Sequence, residues 1–420
     1  MNAAKSIYCL AIALALGSLP LSAQDLLIRN AKVHTVDTRG TLNAADVLVR
    51  AGRIVKVGTG LVAGAGTSVI DAAGKPLTPA FFAGVTALGI EEVSLEPSTV
   101  DHSYSPGASA SPMPALPRPE FDVQPAFNPE SMVIGVNRVE GFGFAMVAPS
   151  SQAGGSIFSG IGAVARLDGR IDAFDPASRT LVIDLGSDTA SLTGNTRAGQ
   201  YMLLDQAIRE AIGGSTLKER DYQLLTPTGR DVLSSFLHGR VAFKVDRAAD
   251  IRQVLALSNR TGMHAVIVGG AEAWKVAGLL ATAKVPVLID GLVNLPDSFD
   301  QLGASLENAA RLQAAGVQIA FTQSGDATHN ARKVRQSAGN AVAHGLPWEA
   351  ALAALTREPA AIFGLGDKLG RIAPGLEADL VLWSGDPLEV TSMAEQMWIS
   401  GRPQSMRSRQ TELRDRYRPR

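Results

Sequence analysis

The chain has 420 residues, a formal net charge of −1 at pH 7 and 46% hydrophobic residues. This length is enough for one large domain with a sizeable core plus a smaller domain. The nearly neutral charge gives no electrostatic case for binding nucleic acid or an anionic membrane.

Residues 1–23 have the pattern of a secretory signal, with a lysine near the start, a short apolar run over residues 7–16 and the small residue Ala23 at the predicted cut. The run is too short for a membrane helix, and Gly17 and Pro20 interrupt it. We therefore expect a cleavable signal peptide, a periplasmic location and no membrane span after cleavage. The single cysteine lies inside this segment, so the mature chain would have no disulfide, no cysteine nucleophile and no cysteine-bound zinc.

Strand patterns come first in the predicted mature chain. Residues 25–36 are rich in β-branched and apolar residues, and residues 47–50 and 53–57 are typical of a tight hairpin. From Val241 to Thr322, apolar strands alternate with helices. This alternation predicts parallel βα units whose strands are buried on both faces.

Three segments between these patterns are predicted to be loops or chance matches. Residues 98–129 have no apolar period, and the lone His102 within them is expected to be solvated. Residues 152–160 are a glycine-rich loop without the Gly-Lys-Ser ending of a phosphate cradle. Ser215–Lys218 matches a Ser-x-x-Lys motif whose supporting motifs are absent, so a chance match is the better interpretation.

Two segments resemble the amidohydrolase superfamily. Residues 75–89 (KPLTPAFFAGVTALG) resemble its first barrel strand, Pro-Gly-Phe-Ile-Asp-Ala-His-x-His-Leu-Gly. Residues 370–388 (GRIAPGLEADLVLWSGDPL) resemble its C-terminal signature, Gly-x-Ile-x-Pro-Gly-x-x-Ala-Asp-Leu-Val. The resemblance extends over nearly the whole mature chain and is closest to the imidazolonepropionase-like, exported branch.

The resemblance implies an α/β fold, a (β/α)8 TIM-like barrel with a small β-sandwich built from both ends of the chain. The corresponding segments are the signal peptide (1–23), the first part of the β-sandwich (24–76), the barrel (77–366), the second part of the β-sandwich (367–403) and an Arg-rich tail (404–420).

The resemblance also implies a metal site, which this chain departs from. In the family a His-x-His pair on the first strand opens that site, because residues two apart on a strand point the same way. Val85 and Ala87 stand at these two histidine places, and Gly269 replaces another ligand. Lys244 replaces a further histidine; its ammonium has no lone pair for a metal and supplies a cation instead, unless it turns to solvent.

After the last barrel strand, the family has an aspartate that takes a proton from water. Asp326 is the candidate for this catalytic role and for pairing with Lys244, while an equally weighted alternative is capping of the following helix. His329 is a weaker binding candidate. We predict no cofactor, and zinc or another divalent metal only if the ligand places are misassigned.

Two functions of different class remain open on the sequence. One is a periplasmic hydrolase of C–N bonds in small amides or cyclic amides, with an altered or metal-free site. The other is a catalytically inactive relative that binds a small anionic ligand or a protein partner. The predicted partner is a small molecule, such as one bearing a carboxylate that Lys244 would attract, and not nucleic acid.

Overall fold

The computed structural model describes residues 25–105, 116–213, 223–325 and 328–418. The predicted signal peptide, the Ser215–Lys218 motif and Asp326 lie outside these ranges. Within them, no helix is both long and apolar enough to cross a membrane.

The secondary structure divides into a terminal sheet and a barrel. The strands of the described residues, in chain order, are β1 (Leu26–His34), β2 (Thr41–Arg50), β3 (Arg53–Gly58), β4 (Ser68–Asp71), β5 (Pro76–Pro79), β6 (Phe81–Thr86), β7 (Phe142–Val147), β8 (Phe158–Arg166), β9 (Thr180–Asp184), β10 (Arg240–Val245), β11 (His264–Gly269), β12 (Val287–Ile289), β13 (Ile319–Phe321), β14 (Leu380–Trp383), β15 (Ala394–Ile399) and β16 (Arg402–Pro403). The α-helices are α1 (Met132–Arg138), α2 (Arg197–Ala211), α3 (Pro227–Phe236), α4 (Ala248–Thr261), α5 (Ala277–Ala283), α6 (Asn308–Ala314), α7 (Val334–Ala343), α8 (Trp348–Leu355), α9 (Arg357–Ile362) and α10 (Arg409–Tyr417).

The terminal sheet joins both ends of the chain. Its strand order is β16-β15-β14-β5-β1-β2-β3, and β4 also pairs with β1. The C-terminal strands enter through the antiparallel pairing of Val381 with Thr78. The second sheet that the sequence predicted from both chain ends, as a small β-sandwich beside the barrel, is confirmed. Within it, β1 pairs with β4 along its first half and with β5 along its second half.

The barrel has eight strands in the order β13 to β6, and the α/β barrel fold expected from the resemblance is confirmed. One barrel strand, which lies outside the region 241–322 where alternation was predicted, departs from parallel order: β8 is antiparallel to both β7 and β9. The glycine-rich segment 152–160, which was predicted to be a loop, leads into the buried strand β8. The connection over residues 148–157 contains no helix, and a parallel neighbour would need a longer crossover.

The barrel closes between its first and last strands, where the backbone N–H of Val85 donates to Oγ1 of Thr322 at 3.0 Å. Its interior is apolar along most of its length and includes Phe82, Val182 and Ala242, packed against Phe363 just after α9. Residues two positions after Val182 and Ala242 also face the lumen, because side chains two apart on a strand share the same face. These later residues are polar, so the lumen changes from apolar packing to polar groups at the carboxyl ends of its strands.

A buried arginine connects the barrel to the terminal sheet. Arg166, at the end of β8, donates to Glu377 Oε2 at 2.6 Å and to Asp379 Oδ1 at 2.5 Å. Asp379 is 4% exposed and also accepts the backbone N–H of Ser400. This aspartate belongs to the C-terminal segment that resembles the amidohydrolase signature, so part of that signature holds the two sheets together.

We expect Arg166→Ala to lower the free energy of unfolding by about 3–5 kcal/mol, because it leaves a buried carboxylate without its partner. Urea denaturation measures this loss. Arg170→Ala is the matched control, since Arg170 and Asp172 form a pair whose side chains are both largely exposed and the loss should stay below about 1 kcal/mol. Equal losses in the two variants would contradict this account of the interface between sheets.

Candidate active site at the barrel mouth

A cavity of about 640 Å³ lies at the carboxyl end of the barrel strands. Val85, Ala87, Lys244 and Gly269, the four residues at the expected ligand places, all line it. This is the face at which barrel enzymes carry their catalytic residues. A second cavity, of about 600 Å³, lies beside Arg240 and His264 at the opposite strand ends, and none of its lining residues is a carboxylate.

Lys244 points into the barrel, the first of the two orientations considered for it. It is in register with Asp184 on the neighbouring parallel strand, and its Nζ is 3.5 Å from Asp184 Oδ1. Nζ also donates to the backbone carbonyl of Pro149 at 3.2 Å. Asp326 lies outside the described residues, so its pairing with Lys244 stays a prediction, and the partner that the structure shows is Asp184.

Asp184 is connected to the loop after β7. Its Oδ2 accepts the backbone N–H of Ser151 at 2.9 Å. Its Oδ1 is buried and accepts no hydrogen bond from the residues that the structure describes. Lys244 and Asp184 thus hold Pro149 and Ser151, on either side of Ser150.

The residues at the family's metal places do not fit a metal ion. Val85 and Ala87 have aliphatic side chains, and Lys244 brings a cation. Gly269 has φ +96°, and a Cβ atom there would be 2.6 Å from Asp246 Oδ1, so a histidine requires the backbone and Asp246 to move. Among the described residues, no group of three or more His, Cys, Asp or Glu side chains could hold a metal ion.

Asp246 and Asp300 also line the cavity, and both accept hydrogen bonds from neighbouring groups. Asp246 accepts the Nε2–H of Gln301 and the backbone N–H of Ala271, at 2.9 and 3.0 Å. Burial raises the pKa of Asp246 although these hydrogen bonds oppose the shift. Burial also acts to raise the pKa of Asp300. Hydrogen bonds from Ser187 and the charge of Arg197 outweigh this effect, so the pKa of Asp300 is lowered.

His102 is not the solvated loop histidine that the sequence suggested. Its Nδ1 is 2.9 Å from Ser150 Oγ, and its Nε2 is 2.9 Å from Glu91 Oε2. Glu91 is 8% exposed, and all three side chains line the cavity. The prediction failed because these residues come from three separate segments, which only the folded chain brings together.

The other candidate, His329, is exposed and is not among the residues that line the cavity. Sequence reasoning did not single out Asp184, Glu91 or Ser150. Asp184 had a usable signal, since it is a carboxylate near the end of the otherwise apolar strand pattern 180–185. Glu91 and Ser150 had no such signal in the sequence, because neither differs from an ordinary polar loop residue.

We expect Lys244→Met to destabilise the protein by about 1–3 kcal/mol, because it leaves Asp184 without its counter-charge near the barrel interior. Asp184→Asn in the same chain should recover part of this loss, and a double-mutant cycle by urea denaturation measures the coupling. Lys75→Met is the control, since Lys75 pairs with Glu395 at the surface. Purely additive effects of the two cavity substitutions would show that the ion pair does not stabilise the fold.

The raised pKa of Asp246 predicts a pH-dependent stability. The folded chain binds this proton more tightly than the unfolded chain does. The resulting stabilisation is complete below the carboxyl's pKa in the unfolded chain and is lost as pH rises through its higher pKa in the folded chain. Asp246→Asn should therefore gain stability relative to wild type as pH rises from the acid range to neutrality, measured by thermal or urea unfolding.

Asp172→Asn is the control for this pH series, because the hydrogen bond from Arg170 lowers the pKa of Asp172. That group's stabilisation is present above its unfolded pKa and is lost as pH falls. The relative stability of Asp172→Asn should therefore change in the opposite direction. The same trend in both variants would contradict the assignment to Asp246.

Comparisons with known proteins agree with this architecture. A model of the Amidohydrolase family matches residues 326–404. The amidohydrolase tasK of Hapsidospora irregularis is 44% identical over 75 residues, which are 18% of this chain and 8% of that protein's length. The chain thus spans only a small part of this curated relative.

Solved structures extend the likeness to most of the chain. An amidohydrolase from Thermotoga maritima superposes with a TM-score of 0.77 and 26% identity, covering 90% of this chain and 99% of that one. Triazine hydrolase from Arthobacter aurescens superposes with a TM-score of 0.56 and 15% identity, covering 93% and 97%. The matching C-terminal segment and the superposition over 90% of the chain show that the chain has the fold of the amidohydrolases and is similar to proteins of that superfamily.

Proposed function

We propose that the protein is a hydrolase that cleaves C–N bonds of small amides or cyclic amides in the periplasm, without a divalent metal at the family's usual place. The observation that carries the proposal is the polar cavity at the carboxyl end of the barrel strands. The similarity to amidohydrolases in fold and in the C-terminal segment supports the reaction class. The signal-like pattern of residues 1–23 supports the location.

The charges around the cavity favour a neutral or cationic substrate. Lys244 is the only lysine or arginine among the lining residues, and six carboxylates accompany it: Glu91, Asp184, Asp188, Asp246, Asp297 and Asp300. Lys244 already pairs with Asp184, so a carboxylate ligand of the kind expected from the sequence would meet net negative charge. An amide N–H or an ammonium group would instead meet favourable negative charge from the carboxylates that line the cavity.

The proposal is tested by incubating the purified protein with a panel of small amides and cyclic amides, neutral, cationic and anionic, and measuring released amine or ammonia. We expect turnover of neutral or cationic members, unchanged after dialysis against a chelator. The surface variant Arg170→Ala should behave as wild type. Activity that a chelator abolishes and added zinc restores would show that the metal ligands were misassigned.

The second candidate is a binding protein without catalysis, which the loss of metal-binding side chains at Val85, Ala87 and Gly269 favours. Under this alternative, members of the same panel raise the unfolding temperature by mass action and remain chemically intact. Stabilisation without any product over extended incubation would overturn the hydrolase and support the binding protein.

A further inference from the structure

Ser150, His102 and Glu91 contact one another in the order of groups that activates a nucleophilic hydroxyl. Such an arrangement needs a nucleophile beside a base, and a third group that orients the base. The three side chains meet these requirements on the wall of one cavity. The proposed hydrolysis without a divalent metal leaves the attacking group unassigned, and Ser150 supplies one.

The backbone fixes the histidine and the glutamate beside each other. The N–H of Asp101 donates to the carbonyl of Ile90 at 2.9 Å, and Glu91 forms an antiparallel bridge with Val100. The N–H of Ser150 donates to the carbonyl of His102 at 2.9 Å. Backbone hydrogen bonds therefore join all three segments independently of the side-chain contacts.

Glu91 determines which nitrogen of His102 can act as the base. A neutral imidazole that carries its proton on Nε2, 2.9 Å from Oε2 of the buried Glu91 carboxylate, keeps its lone pair on Nδ1. That lone pair faces the hydroxyl of Ser150. Either ring nitrogen of a histidine can act as the base, provided that it faces the hydroxyl while the other nitrogen faces the carboxylate. The imidazole of His102 has this orientation.

Lys244 and Asp184 position the nucleophile and provide charge. They bind Pro149 and Ser151, the neighbours of Ser150, through the contacts at 3.2 and 2.9 Å. The ammonium of Lys244 thus lies beside the segment that carries the nucleophile. A fixed cation there stabilises negative charge that develops on a carbonyl oxygen under attack.

We propose that Ser150, His102 and Glu91 form a catalytic triad for amide hydrolysis, with Lys244 as the stabiliser of the oxyanion; the choice of an amide rests on the proposed function. Ser150 Oγ bonds to the carbonyl carbon while its proton moves to His102 Nδ1. The C–N bond breaks, the amine leaves with that proton, and the acyl group remains as an ester on Ser150. Water attacks the ester, His102 takes its proton, and Ser150 recovers a proton as the acid departs.

The direct test is labelling with an alkyl fluorophosphonate, which phosphonylates an activated serine with loss of fluoride. We expect one adduct, located at Ser150 by peptide mass spectrometry and absent in Ser150→Ala. His102→Gln should slow labelling at least about 100-fold. Ser98→Ala, an exposed serine near His102 in sequence, should react as wild type. Folded wild-type protein without this adduct, or undiminished labelling in His102→Gln, would overturn the triad.

Glu91 is a positioning residue, and its test separates this role from a structural one. Glu91→Gln should lower the labelling rate and kcat about 10- to 1000-fold with little change in KM. Unchanged kcat with a lower unfolding temperature would show that Glu91 only supports the loop.

Different experimental results would contradict the triad and the proposed function. Amine release that persists in folded Ser150→Ala would overturn the triad and leave the C–N hydrolase in place. Labelling of Ser150 without cleavage of any amide in the panel would overturn the C–N hydrolase and leave the activated serine in place.

Discussion

The site depends on the in-register ion pair between Lys244 and Asp184 at the top of the barrel lumen. Parallel strands bring residues of the same face side by side, so two charges on adjacent strands must compensate each other where the lumen leaves little water. This pair also binds the backbone on both sides of Ser150. Lys244 thus sets both the charge balance of the lumen and the position of the loop above it.

The C-terminal segment that resembles the family signature and the residues at the barrel mouth have separate physical roles. Asp379, in the signature-like segment, accepts Arg166 of the barrel and the backbone of Ser400. Without it, the barrel and the terminal sheet would lose a buried connection. None of these contacts involves the cavity, so the fold can keep this segment while the residues at the barrel mouth change.

The antiparallel strand β8 shapes the cavity wall. Because β8 turns back directly after β7, the connecting segment stays at the mouth instead of crossing the outside of the barrel. Ser151 Oγ donates to the carbonyl of Ser156 at 2.7 Å, which folds this segment on itself. Ser150 is therefore presented beside the loop that carries Glu91 and His102, a juxtaposition that a helical crossover at this position would not produce.

The sequence by itself determined the barrel and the joining of both chain ends in a second sheet, and it placed four residues without metal-binding side chains at the expected ligand places. These follow from local periodicity and from residue types at matched places, and Val85, Ala87, Lys244 and Gly269 do share one cavity. Only the tertiary structure decided the partner of Lys244, the direction of β8 and the contact of His102 with Ser150 and Glu91. Those features depend on pairing between segments far apart in the chain, and no local pattern encodes the hydrogen bonds of a loop residue to distant side chains.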